Sequence, residues 1–139
     1  RFSVVSNIAS EKFKERHNAS ISSDLEGGAW LLGDKGLFHI EKDGKRIDFV
    51  RSAKELGYKS PRSITTCPNG IVWIAHKEGV FGYDHKDKKI LFRAHIDDMD
   101  SGSIPQNIVC HLNDVWMSLY GGSIVFISKK DKKHHVLSA

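Results

Sequence analysis

Residues 64–84 read ITTCPNGIVWIAHKEGVFGYD, and the same frame returns upstream at 21–41 (ISSDLEGGAWLLGDKGLFHIE) and downstream at 108–128 (IVCHLNDVWMSLYGGSIVFIS). The three tryptophans, Trp30, Trp73 and Trp116, follow one another at intervals of 43 residues, and so do Gly36, Gly79 and Gly122. Leu37 matches Val80, Phe38 matches Phe81 and Ile124, and Ile40 matches Tyr83 and Phe126. The third copy is one residue shorter in its first turn and recovers the difference in the loop before it. Self-similarity at a fixed period of this length is the signature of a repeat architecture.

Each copy parses into four short strands. In the second, 63–66 is a first strand, and Pro68-Asn69-Gly70 supplies a turn with a residue able to take positive φ. The β-branched and aromatic run 71–75 follows. Residues 76–79 turn the chain into a third strand at 80–83, and a polar turn at 84–88 leads to an outermost strand at 89–94. Four strands in one 43-residue period predict a β-propeller blade, because helical solenoids and leucine-rich repeats have helical or shorter units. Helical spacing appears only weakly at 9–16 and 52–57, with a short loop helix expected at 53–56. The predicted class is all-β, with about three blades of four antiparallel strands each. The boundaries read as 1–20 for the end of a preceding blade and its linker (an outer strand at 1–5, a loop at 9–20), then blades at 21–62, 63–106 and 107–139. Closed propellers use ~4–8 blades, so the three are expected to belong to a larger ring, completed by further blades or by a second copy of the chain.

Composition narrows the function classes. A hydrophobic content of 40% and a charged content of 27% suit an ordinary globular domain. No apolar run approaches the ~18 residues of a membrane span. The chain begins Arg1-Phe2-Ser3-Val4, without an initiator Met or a signal-peptide apolar region, and is expected to be a processed or excised piece. The net charge of +4 sits largely in lysine-rich turns at 86–89 and 129–133, interrupted by Asp87 and Asp131. Arginines and aromatics are not interleaved there, so no nucleic-acid partner is expected.

The repeat positions read as architecture. Trp30, Trp73 and Trp116 lie mid-strand among apolar neighbours, where one blade packs on the next. The glycines at 36, 79 and 122 read as backbone devices entering the third strand, since none stands in a phosphate-binding frame. Cys67 and Cys110 each precede their tryptophan by six residues, with Asp24 in that place in the first copy. Stacked sheets lie ~10 Å apart, whereas a disulfide needs Cα atoms within about 7 Å. Blades converge near the axis, so a bridge stays open, but two small buried thiols are expected. No metal pattern and no cofactor motif is present. Of the eight histidines, His76 opens the loop after a Trp strand and His111 lies on an inner strand, but neither recurs in another copy. No catalytic residues are assigned.

The run Asn69-Gly70-Ile71-Val72-Trp73-Ile74-Ala75, then Gly79-Val80-Phe81-Gly82-Tyr83-Asp84, resembles the two-component regulator propeller repeat, and the stretch 98–108 resembles that family's acidic, serine-bearing linker between blades. The likeness covers about 21–128. Gly33 and His76 stand where the family often has Thr, and the third copy lacks the turn glycine before Trp116. The resemblance implies a periplasmic sensor module of an inner-membrane hybrid two-component system, recognising a carbohydrate. This segment carries no kinase motif and is read as non-enzymatic.

The loop between second and third strands is expected to open on the same end as the connections between blades. That end would present Asp34 and Lys35, then His76, Lys77 and Glu78, then Tyr120. Lys35, His76, Lys77, Glu78 and Tyr120 are the candidate ligand contacts, suited to an oligosaccharide through directional hydrogen bonds and one stacking ring. The competing expectations are a metal-dependent enzyme like the streptogramin lyases, built on His76 or His111, and a propeller acting mainly as an interaction or homodimerisation scaffold.

Overall fold

The computed structural model describes residues 18–99, 103–130 and 134–137. The expected strand at 1–5 and most of the loop at 9–20 lie outside these residues.

Three four-stranded antiparallel sheets follow one another along the chain. The first comprises β1 (Asn18–Ser23), β2 (Ala29–Gly33), β3 (Gly36–Ile40) and β4 (Ile47–Ser52). The second comprises β5 (Pro61–Thr66), β6 (Ile71–His76), β7 (Gly79–Asp84) and β8 (Lys89–His95). The third comprises β9 (Pro105–His111), β10 (Asp114–Leu119), β11 (Ile124–Ile127) and β12 (His134–Leu137). Each strand pairs with the one before it, so every sheet is a meander. These are three β-propeller blades of an all-β protein.

Period-two burial explains how the blades stack. In β10 the residues Val115, Met117 and Leu119 are buried against blade 2, while Trp116 points to the other face. The middle blade is covered on both sides, and β7 is accordingly buried at Gly79, Val80, Phe81, Gly82 and Tyr83. One apolar cluster joins blades 1 and 2 through Trp30, Leu32 and Leu37 against Ile64, Ile74 and Phe81. A second joins blades 2 and 3 through Ala75, Val80 and Met99 against Val115, Met117 and Val125.

The inner strands β1, β5 and β9 lie side by side. Hydroxyl groups link them: Ser22 and Thr66 share a hydrogen bond (3.2 Å), the Ile108 N–H donates to Ser63 Oγ (3.2 Å), and the Cys110 N–H donates to Thr65 Oγ1 (3.2 Å). This convergence corrects the expectation of free thiols. The Cα atoms of Cys67 and Cys110 are 5.4 Å apart and the two form a disulfide, far closer than the spacing of sheets stacked away from the axis.

The expected helix at 53–56 is α1 (Ala53–Leu56). Ser52 caps it, accepting from the Glu55 N–H, while Glu55 closes a capping box and Gly57 ends it in the left-handed region (φ 74°). Arg93 of β8 locks this connection, donating to the carbonyls of Leu56 and Gly57 and lying over the Phe81 ring (4.8 Å).

Two repeat features differ from the sequence reading. Phe38 and Phe81 stand opposite Leu31 and Ile74, but in the third sheet that place belongs to Val125, opposite Met117, and not to Ile124. The β10–β11 turn holds one more residue, so Ser123 occupies the place of Gly79. Gly122 is instead a turn residue at φ 101° with open space around it. Gly36 and Gly79 do serve the backbone, through close approach. A Cβ at Gly79 would lie 2.1 Å from the Ala94 carbonyl oxygen, and one at Gly36 would lie 2.5 Å from that of Arg51.

Candidate functional site

The turns between second and third strands share one end of the molecule with the connections between blades, because the two are hydrogen-bonded to each other. The Ala53 N–H donates to Lys35 O (2.8 Å), the Lys77 N–H to Ser60 O (3.1 Å), the Ile96 N–H to Glu78 O (2.8 Å) and the Tyr120 N–H to Ile104 O (2.8 Å). Each β2–β3-type turn is thereby clamped at a fixed height against a neighbouring connection. Lys35, Lys77 and Glu78 are exposed on this end, and Tyr120 is 68% exposed. They belong to three successive blades.

His76 departs from that group. It is 4% exposed, with its ring centroid 5.8 Å from that of Phe81 and 6.3 Å from that of Tyr58, in the junction between blades 1 and 2. Its Nδ1 accepts from the Glu78 N–H (3.4 Å), and its Nε2 is buried without a hydrogen-bond partner. Burial pushes its pKa down to about 4, and the nearby Arg93 acts in the same direction. His76 is therefore a neutral core imidazole that pins the β6–β7 turn from below, and not a group offered at the surface.

Sequence reasoning missed a second polar centre. It lies beside the outer strands of blades 1 and 2, around β4 and the β7–β8 turn, as a cleft of about 440 Å³ lined by His39, Asp48, Arg51, Tyr83, His85 and Lys88 among others. His39 Nε2 donates to Asp24 Oδ2 (2.8 Å), and Asp24 Oδ1 also accepts from the N–H groups of Glu26 and Gly28 (both 2.8 Å). Burial alone would raise the Asp24 pKa. The N–H of Glu26, then His39 and the N–H of Gly28, outweigh it and hold the carboxyl below its ordinary value. Trp30 packs against both imidazoles, 4.6 Å from His39 and 5.1 Å from His85. Burial lowers the His85 pKa, and His39, Lys88 and Arg51 push it the same way against Asp84. His39 and His85 occupy non-equivalent repeat positions, so no periodic signal could have paired them.

A third feature opens between blades 2 and 3, a cleft of about 230 Å³ lined by Asn69, Ile71, Trp73, Phe92 and Asn113 among others. The Asn69 N–H donates to Asn113 Oδ1 across it (2.9 Å), and the Trp73 and Phe92 rings are 5.5 Å apart. His111 lies exposed at the end of β9, remote in sequence and blade from His76. Among the described residues no three His, Cys, Asp or Glu side chains gather as a metal-ligand set.

The tryptophans differ in environment. Trp30 is 5% exposed and Trp73 half-buried, each facing the next blade, whereas Trp116 is 39% exposed. Pairing places Val109, Trp116 and Phe126 in one row of this outer face of blade 3, with Ser118, Ile124 and Leu137 in the next. Val109, Ile124 and Leu137 are exposed as well.

No protein-family model matches the chain, and no curated protein does. Among solved structures it is similar to the extracellular domains of two hybrid two-component systems of B. thetaiotaomicron. One is 24% identical over 86% of this chain and 16% of its own length (TM-score 0.66); the other is 18% identical over 87% and 17% (TM-score 0.68). It is similar too to virginiamycin B lyase from Staphylococcus aureus, 13% identical over 87% of this chain and 41% of the lyase (TM-score 0.64). The chain thus spans less than half the length of these proteins. Among the described residues no helix is long and apolar enough to cross a membrane. At these identities the shared property is the fold, and the chain is a run of β-propeller blades.

Proposed function

We propose that the chain is the ligand-sensing propeller portion of an extracytoplasmic two-component signalling protein, of the two-component regulator propeller type, and that it recognises a carbohydrate. The observation that carries this reading is the likeness of its three blades to extracellular domains of hybrid two-component systems. The Cys67–Cys110 disulfide supports an oxidising, extracytoplasmic location, because cytosolic thiols are kept reduced. The clamped turns that present Lys35, Lys77, Glu78 and Tyr120 supply a polar end with fixed geometry, suited to a polyhydroxylated ligand.

The outer face of blade 3 supports a further blade as the partner. Trp30 and Trp73 are each covered by a neighbouring sheet, and Trp116 holds the same place with apolar companions and no such cover among the described residues. A second copy is the competing occupant, and light scattering on the isolated chain distinguishes them: a monomer agrees with a blade supplied by the same protein, a dimer with the homodimer.

A thermal-shift screen against oligosaccharides tests the sensor reading. A rise in Tm with at least one glycan is expected. No stabilisation by any glycan, in a full-length protein lacking a membrane span followed by a kinase, would sink it.

A further inference from the structure

Blade packing fills most of the junction between blades 1 and 2 with apolar side chains, yet the cleft at β4 and the β7–β8 turn gathers imidazole, guanidinium, ammonium and phenol groups around about 440 Å³ of space. Such a volume suits a small molecule. The His85 ring lies 6.3 Å from His39 and has a buried Nδ1 without a hydrogen-bond partner. A buried ring nitrogen in that condition favours whatever water or ligand can meet it. Arg51 ion-pairs with Glu55 through Nη1 (3.3 Å) and lines the cleft together with Tyr83, whose buried hydroxyl has no hydrogen-bond partner among the described residues. Lys88 borders it from the turn, in the left-handed region (φ 54°).

The lining is therefore net cationic, with Asp48 as the carboxylate among its residues, already paired with Arg46 (3.0 Å). Asp48 disfavours a doubly charged phosphate. A singly charged acid with hydroxyl groups suits both walls, since carboxylate meets the cations and hydroxyls donate to Asp48.

We propose that this cleft binds a small sugar acid, its carboxylate held by Arg51 and Lys88 and its hydroxyls by Asp48 and the His85 ring. The proposal rests on the carbohydrate reading above for its ligand class, but it places the ligand between the outer parts of two blades and away from the exposed turns.

Calorimetric titration of the chain at pH 7 with glucuronate and with galacturonate tests it, with glucose as the neutral control and inorganic phosphate as competitor. At least one uronate is expected to bind saturably, about tenfold or more tighter than glucose. Lys88→Asn keeps a residue tolerant of positive φ on an exposed turn, and is expected to weaken binding about fivefold or more with an unchanged melting curve. Arg51→Gln is expected to do the same more strongly. The proposal is overturned by no saturable uronate binding, by equal binding of glucose, by equal displacement with phosphate, or by uronate binding that Lys88→Asn leaves unchanged. A neutral oligosaccharide that binds Lys88→Asn at full strength, with no uronate binding, would sink this site and leave the sensor reading standing. Absence of binding by any saccharide would sink both.

Discussion

The two blade junctions are built from the same repeat but are held together differently. Between blades 1 and 2 the contact is aromatic and partly polar: Trp30, Tyr58, Phe81 and Tyr83 pack there with the buried His76, and α1 plugs the connection. Between blades 2 and 3 the core is aliphatic and sulfur-rich, with Met99, Met117, Val115 and Val125, and a covalent bridge closes its inner end. At the bridge position blade 1 has Asp24, which turns back to its own blade to hold His39. The difference teaches where a repeat can vary. Once inner strands converge, one position can serve a covalent staple or a local carboxylate–imidazole pair without altering the strand plan.

The comparison breaks most sharply if the aromatic junction is emptied. Trp30→Ala removes a buried ring and is expected to cost about 3–5 kcal/mol, read as a fall in the urea midpoint. A loss below about 1 kcal/mol would mean that blades 1 and 2 are not packed through this residue. Next comes the staple. Replacing both Cys67 and Cys110 by Ala releases a closure of 43 residues and is expected to cost about 2–4 kcal/mol. Hydrogen exchange should then rise first in β9 and β10, and uniform exchange across all three blades would contradict a local role.

The polar junction carries a pH signature of smaller size. The folded pKa of His76, about 4, lies below its unfolded value near 6.5, so the unfolded chain takes up the proton first as pH falls. His76 is therefore expected to make the protein less stable as pH drops from about 6.5 to about 4, by on the order of 1–2 kcal/mol after allowance for solvent screening. His85 adds a slope of the same sign. His76→Phe should flatten the pH dependence of Tm across that window, and an unchanged slope would assign the effect elsewhere. Smallest is Trp116→Ala, expected to cost less than about 1 kcal/mol in the isolated chain, since no sheet covers its face among the described residues. A loss comparable to that of Trp30→Ala would show that the face is covered in solution.

The fold was legible because blade stacking imposes a residue type at fixed register. Trp30 and Trp73 announce a face that must be covered, and Gly36 and Gly79 mark where an outer strand carbonyl leaves no room for a Cβ. Legibility stopped where geometry depends on distance between copies. The interval between Cys67 and Cys110 suggests equivalence, but Cys110 stands opposite Val115 as Thr66 does opposite Val72, and the interval does not reveal that the inner strands approach within 5.4 Å. The shorter first turn of the third copy was legible, but Gly122 keeps the 43-residue interval and so hid the one residue gained in the β10–β11 turn. His76 looked like a loop residue because its neighbours Lys77 and Glu78 are polar, whereas its ring follows the alternation of β6 into the core. The cleft around His39 and His85 was invisible, since each residue is ordinary in its own blade and the site exists only where two blades meet.

The hydroxyl links between inner strands carry a consequence for solubility. The innermost strand of a blade is a sheet edge, and exposed edge N–H groups recruit stray strands into aggregates. On β9, Ile108 and Cys110 already give their N–H groups to Ser63 and Thr65 of the neighbouring blade. The edge that would otherwise act as a template for a foreign strand is spent between neighbouring blades, and Ser63 and Thr65 act as its gatekeepers.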